Sequence, residues 1–361
     1  MSLAGKGMMI WQLPRCEDGS PERIAQTAKQ AGLTHVIIKI ANGMLAYNVD
    51  RKNNQDLVPA VAQALKSKGI EVWGWHYIYG HNPMGEARIA IQRVKQLHLD
   101  GYVIDAEIEY KQRGMDKKAE QFMNAIRGPM SSVPIALSSY RYPKYHPELP
   151  WKQFLKYCDY NMPQVYWEQA HTPASQLERS FDQFKVLAPN RKFVPTGAFY
   201  KTNGWLPTAK DIQDFLTKSA ELGFKAANFY TWDHKKFLTD QWNVLASFDW
   251  DKRNLVQSFG QRMMTLFNNG NPHKIVNLFT NNAVRITSKQ TTQGSAQIQS
   301  QYERIFGIER PGAEYELISE SNDGNSHTIQ WKATVGDKII QGRDSYGISN
   351  EKIIYQYSQI L

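Results

Sequence analysis

From Met8 to about Trp250 the chain repeats one pattern eight times: a short apolar, β-branched or aromatic run, then an amphipathic stretch with its own start and stop signals. The strand-like runs fall near 8–13, 35–42, 71–79, 101–109, 133–139, 160–167, 192–200 and 226–233. Short runs that stay apolar on both faces are what a parallel sheet covered by helices requires. Ser20-Pro21-Glu22 supplies a helix cap and a proline at the first helical position, while Ala31-Gly32, Lys68-Gly69 and Leu222-Gly223 supply glycine stops. Only the fifth helix, around Trp151 to Tyr157, is short. Eight units over residues 8–250 match a closed (β/α)8 barrel in number and in its typical length of about 250 residues. A doubly wound sheet would need a glycine-rich dinucleotide turn after its first strand, and none follows here.

Past Trp250 the pattern changes. Helical stretches at about 251–267 and 271–281 lead through a short strand near 283–287 to a third helix at 295–308. Four alternating runs follow, Tyr315 to Ser319, Thr328 to Val335, Ile339 to Tyr346 and Ile353 to Ile360, separated by turn signals at Asn322-Asp323-Gly324, Gly336-Asp337 and Ser349-Asn350. Helices followed by an antiparallel meander make an α+β domain. The expected division is a barrel over 8–250 and an α+β domain over 251–361, with Asp251-Lys252-Arg253 as at most a tight linker. By element order, and best in the stretch from Phe267 to Val284, this domain resembles the NTF2-like, SnoaL-type cone. The resemblance implies a small-ligand pocket, a homodimerisation surface or a polymer-binding appendage. Its polar residues Arg285, His327, Trp331, Arg343 and Asp344 match no catalytic set, which points to a non-catalytic role.

Composition excludes several classes. Of 361 residues, 42% are hydrophobic and 21% charged, which is globular rather than disordered. No run approaches the roughly 20 apolar residues that cross a bilayer. Cys16 and Cys158 are too few for a disulfide framework or a zinc cluster. The net charge of +9 arises mainly before residue 250, where 31 basic residues face 24 acidic ones, but they are scattered, so no specific nucleic-acid partner is expected. The first residues lack the apolar stretch of a signal peptide; a native start at Met1 implies a cytoplasmic protein, and a removed leader a secreted or cell-envelope one.

In a barrel of this kind the reacting groups sit at the carboxyl ends of the strands. The fourth run, Leu99 to Glu107, carries Asp105 and Glu107 two residues apart, so both point the same way, while Tyr102, Ile104 and Ala106 face the helices. Adjacent carboxylates repel, which raises one pKa and keeps a proton in place, as a general acid requires. Glu109 shares their parity. Gln164 and Tyr166 share a face of the sixth run.

These residues carry a resemblance to two sugar-cleaving families. Leu99 to Glu107 resembles the DxxDxDxE strand of family-18 glycoside hydrolases, the chitinase-like barrels, with Asp100, Asp105 and Glu107 in place and Val103 where that family has an acid. Met162 to Tyr166 resembles the Met-x-Tyr strand of the same family with two residues inserted. Ala227 to Asp233 is similar to its closing strand, with Trp232 the candidate floor beneath a bound sugar and Asn228 and Tyr230 beside it. Ile104 to Glu107 is also similar to the Asp-x-Glu of family-25 lysozymes, as are Trp11-Gln12 on the first strand and Trp75-His76 on the third. The first-strand Asp of those lysozymes has no counterpart in Met8-Met9-Ile10. The resemblance implies retaining hydrolysis of an amino-sugar polysaccharide such as peptidoglycan or chitin, without a cofactor. Glu107 would protonate the glycosidic oxygen, Asp105 would orient the 2-acetamido group, and Tyr166 would donate a hydrogen bond to it. Gln164, Trp232, Tyr230, Asn228, Trp75, His76 and Trp11 would line the sugar site.

Plainer readings stand beside these. Asp105 and Glu107 can be structural partners of Lys39 or Arg141; Trp73, Trp75, Tyr77 and Tyr79 can be core; Gln164 and Tyr166 can be polar fillers. His76 and His234 belong to no metal-ligand motif, no glycine-rich phosphate cradle follows strands seven and eight, and Lys39 is the one mid-strand lysine for a Schiff base. The competing function is a catalytically inactive carbohydrate-binding or scaffolding barrel.

Overall fold

The computed structural model describes residues 3–250, 258–349 and 352–361. The chain forms two compact units, Met1–Arg253 and Asn254–Leu361. Asp251-Lys252-Arg253, the start of the helix expected at 251–267 and Asn350 of the last turn signal lie outside the described residues. Among the described residues no helix is long and apolar enough to cross a membrane.

In the first unit eight parallel strands close on themselves: β1 (Gly5–Ile10), β2 (Leu33–Asn42), β3 (Glu71–Ile78), β4 (Gly101–Ala106), β5 (Ile135–Tyr140), β6 (Tyr160–Val165), β7 (Thr196–Ala198, preceded by the pair Lys192–Phe193) and β8 (Ala226–Tyr230). Each pairs with its neighbour in sequence, and β1 pairs with both β2 and β8, so the sheet has no free edge. This is the expected (β/α)8 barrel. The expected seventh strand is interrupted at Val194-Pro195 because proline has no N–H to give the ladder. Its carbonyl still accepts from Asn228 N at 2.8 Å. β4 ends at Ala106 rather than 109, and β8 at Tyr230 rather than 233, because Ile108–Lys111 and Trp232–Phe237 turn into 3-10 helices.

Eight helices surround the strands: α1 (Pro21–Gln30), α2 (Val58–Ser67), α3 (Pro83–Gln96), α4 (Met115–Arg127), α5 (Trp151–Leu155), α6 (Pro173–Leu187), α7 (Ala209–Glu221) and α8 (Thr239–Ser247). Their ends follow the sequence signals. Ser20 caps α1 by accepting from Arg23 N, Thr208 and Asp211 form a capping box on α7, and the stop glycines Gly32, Gly69 and Gly223 all have positive φ. Lys6 anchors α8: its Nζ donates to the carbonyls of Leu245 (2.7 Å), Ala246 (3.1 Å) and Phe248 (2.5 Å), placing a cation at the negative end of the helix.

Alternation along the strands sorts side chains between two cores. Met8, Ile10, Val36, Ile38, Ile40, Tyr102 and Ile104 pack outward against the helices, while Met9, Ile37, Trp73, Trp75, Val103, Ala136, Met162 and Val194 fill the barrel. Small residues make room for the large ones. A Cβ on Gly101 would lie 2.2 Å from the Trp73 ring, and one on Gly7 would lie 2.0 Å from His35 Nε2.

The second unit carries α9 (Phe259–Asn268), α10 (Pro272–Val276), β9 (Phe279–Thr287), β10 (Thr291–Gln293), α11 (Ser295–Arg304), and then β11 (Glu314–Asp323), β12 (Ser326–Val335), β13 (Lys338–Ser349) and β14 (Lys352–Ile360). The strands form one six-stranded sheet in the order β10-β9-β14-β13-β12-β11. The helix expected over 271–281 stops at Val276, and Phe279 already belongs to β9; the strand β10 had no sequence signal. Helical residues Met263, Phe267, Ile298 and Tyr302 pack on Ala283, Ile329, Trp331 and Tyr346 of the sheet.

Candidate active site

The top layer of the barrel, at the carboxyl ends of the strands, is polar. Lys39 of β2, Tyr77 of β3, Asp105 of β4, Ser138 of β5, Gln164 of β6 and Tyr230 of β8 line one cavity of about 220 Å³, together with Met9, Trp11, Trp75, Glu107 and Tyr166. Parallel pairing sets Tyr77 beside Asp105 and Asp105 beside Ser138, so residues distant in sequence share this layer. A larger hollow of about 590 Å³ lies between the β5–α5 connection and α6, lined by Pro147, Leu149, Trp151 and Val186. The acid pair is in the smaller one.

Asp105 is buried, and Glu107, one residue past the end of β4, is half-buried. The amide of Gln164 joins them, its Nε2 donating to Asp105 Oδ1 at 3.0 Å and to Glu107 Oε1 at 2.9 Å, with Ser138 Oγ at 3.4 Å. Burial raises the Asp105 carboxyl well above the usual range, and the adjacent Glu107 charge and a hydrogen bond between the two carboxyls raise it further. Asp105 is therefore the carboxyl of the pair that holds a proton more readily than an ordinary aspartate. Carboxyls in mutual contact are nearer than the roughly 6.5–9.5 Å that an inverting water needs between them.

The ion pairs weighed against a functional pair do not form: among the described residues neither Lys39 nor Arg141 bridges to Asp105 or Glu107. The Lys39 ammonium instead lies over the rings of Trp75 (4.5 Å) and Tyr47 (4.6 Å). Burial lowers its pKa to about 8, against the raising effect of the two carboxyls. Glu109 lies in the 3-10 turn after β4 and accepts from Tyr77 Oη at 2.8 Å.

Of the expected sugar-site residues, Trp11, Trp75, Gln164, Tyr166 and Tyr230 meet Asp105 and Glu107 in this cavity. Tyr230 sits among aromatic neighbours, 6.0 Å from Tyr166 and 6.1 Å from Trp75. Three others lie elsewhere. Trp232 is not the floor: because β8 ends at Tyr230, alternation does not extend to it, and its buried ring packs on Trp242 of α8 while Nε1 donates to Glu17 at 3.2 Å. His76 has outward parity on β3 and is sealed between Tyr102 Oη (2.8 Å) and the Gly43 carbonyl (2.7 Å). Asn228 faces inward but one layer too low, level with Gly7, and holds His35 Nε2 at 2.5 Å. Ser138 escaped the sequence reading although its even spacing from Ala136 and Tyr140 on β5 marks it as inward. Lys39, expected as an ion-pair partner or a Schiff-base nucleophile, forms part of the cavity wall. Among the described residues no group of His, Cys, Asp and Glu is arranged to hold a metal ion.

No protein-family model and no curated protein matches the chain. Among solved structures, a chitinase from Chromobacterium violaceum is similar over 71% of this chain and 100% of its own, at 10% identity and a TM-score of 0.50. The second unit aligns with an NTF2-like protein of unknown function from Cytophaga hutchinsonii, covering 27% of this chain and 82% of that one at 13% identity and a TM-score of 0.24. A SnoaL-like putative isomerase from Agrobacterium tumefaciens covers 26% and 83% at 18% identity, also with a TM-score of 0.24. At 10% identity the chitinase likeness shows a shared fold: the first unit of this chain is a (β/α)8 barrel of the kind that chitinase has.

Proposed function

We propose that the barrel is a retaining glycoside hydrolase acting on an amino-sugar polysaccharide of the peptidoglycan or chitin type. The observation that carries this reading is the Asp105–Glu107 pair, joined by the Gln164 amide, in a cavity at the carboxyl ends of the strands. The proton begins on Asp105 and passes along the carboxyl–carboxyl hydrogen bond to Glu107, which delivers it to the glycosidic oxygen. Asp105, then ionised and held by Gln164, orients and stabilises the substrate's own 2-acetamido group as internal nucleophile, and Tyr166 donates to that group. Trp11, Trp75 and Tyr230 offer ring faces for the sugar.

A second reading, an inactive sugar-binding barrel, is favoured by two specific features. Val103, where chitinase-like barrels have an acid, is fully buried in the apolar interior, and Met9 occupies the inward first-strand site nearest the acid missing from the lysozyme-like pattern. Turnover of labelled peptidoglycan and chitin oligomers separates the two readings. Hydrolysis predicts that Glu107→Gln loses at least about 100-fold in rate, as removal of a general acid does. Equal background rates for wild type and variant, with sugar binding intact, select the inactive barrel.

A further inference from the structure

Lys39 is unusual among the cavity residues. It is 6% exposed, it lines the cavity, and among the described residues its Nζ makes no hydrogen bond or ion pair to the protein. Its surroundings are ring faces, those of Trp75 at 4.5 Å, Tyr47 at 4.6 Å and Tyr77 at 5.7 Å. Rings compensate a cation in part. A buried ammonium otherwise requires an anionic or acceptor partner. The two nearby acids favour its charge through space but bond to each other and to Gln164, which leaves the Nζ hydrogens available to an acceptor on a ligand.

The cleft repeats this arrangement at its edge. Arg15 lies over Trp11 at 5.9 Å, and Lys111 lies over Tyr140 at 4.2 Å. Trp11 lines the cavity, and the hydroxyl of Tyr140 is raised in pKa by burial and by the charges of Glu107, Glu109 and Asp105. Cations resting on aromatic rings therefore flank the acid pair, within the part of the chain that carries most of the positive charge.

Building on the hydrolase reading, we infer that the sugar received by this cleft carries a carboxylate that pairs with Lys39 Nζ, so that the substrate is an acidic glycan rather than a neutral one. Beside the acid pair, a dianionic phosphate would leave more charge uncompensated than a single carboxylate does. The aromatic box and the single ammonium give the subsite both a face for the sugar ring and a point for its acid group.

The test measures binding rather than turnover, by calorimetric titration of the full chain with single-ring methyl glycosides. The probes are N-acetylmuramic acid, its uncharged methyl ester, N-acetylglucosamine and glucuronic acid. The expected result is that wild type binds at least one of the two acids ten or more times more tightly than the ester and the neutral sugar. A muramic or a glucuronic preference tells whether the acid group sits on an ether arm or on the ring. Lys39→Met should abolish that preference, and Lys39→Arg should retain part of it. The inference is overturned if wild type binds ester and acid alike, or if Lys39→Met keeps the preference. If Lys39→Met does not fold, the acid–ester comparison in wild type and in Lys39→Arg still decides. An acid preference without turnover by wild type would end the hydrolase reading and leave this one standing. Turnover of neutral oligomers without any acid preference would do the reverse.

Discussion

Gln164 on β6 reaches past β5 to Glu107 at the end of β4, with Nε2 2.9 Å from Oε1, and the same nitrogen holds Asp105 at 3.0 Å. One amide thus fixes the spacing and orientation of both acids. An N–H donated to a carboxylate favours its charged form and lowers its pKa.

Replacing Gln164 with Leu should raise the apparent pKa of the acid pair. The acidic limb of the pH–rate profile is expected to move to higher pH, with a fall in kcat of about 10- to 100-fold, the equivalent of one charge-assisted hydrogen bond. Profiles of wild type and Gln164→Leu check this. An unmoved limb would show that the amide does not control the acids.

Asp233 closes the barrel seam. Its Oδ1 accepts from Gln12 N at 2.7 Å, and its Oδ2 accepts from Trp11 N at 2.9 Å and from Thr231 Oγ1 at 2.6 Å. Asp233→Ala should destabilise the protein by about 3 kcal/mol, since it strips a charged acceptor from two backbone donors at once. Because Trp11 forms part of the cavity wall, the variant should raise KM more than it lowers kcat. Thermal unfolding and Michaelis kinetics read the two effects separately.

His35 and His76 are buried neutral, and burial lowers both pKa values to about 4. Unfolded, each titrates near 6.5. Between these values the unfolded chain binds more protons than the folded one, so their contribution to stability is complete above pH 6.5 and is lost as the pH falls towards 4. The melting temperature should therefore drop steeply over that window, by the equivalent of a few kcal/mol. His76→Gln should flatten the slope while lowering stability at neutral pH. Melting curves from pH 4 to pH 7 provide the measurement.

Much of the architecture was readable along the chain. Period-two alternation and helix punctuation are local properties, and they located eight strand-helix units, the inward parity of Asp105 and Glu107 and the shared face of Gln164 and Tyr166. What failed was whatever depended on where a strand stops or how high a residue stands. Trp232 lost its place because β8 ends two residues before it, a matter of pairing with β1 and β7. Parity placed Asn228 inside the barrel, but only the register of β8 against Gly7 put it in the lower layer with His35.

The sequence alone determined which side chains turn inward, because adjacent residues on a strand must face opposite ways. Tertiary structure decided which of those inward residues meet. Closure of the barrel staggers the strands, so the level of each side chain depends on neighbours distant in sequence. That stagger brought Lys39, Asp105, Glu107 and Gln164 to one cavity, set the lysine against ring faces, and buried Asp105 beside Glu107 so that its pKa rises.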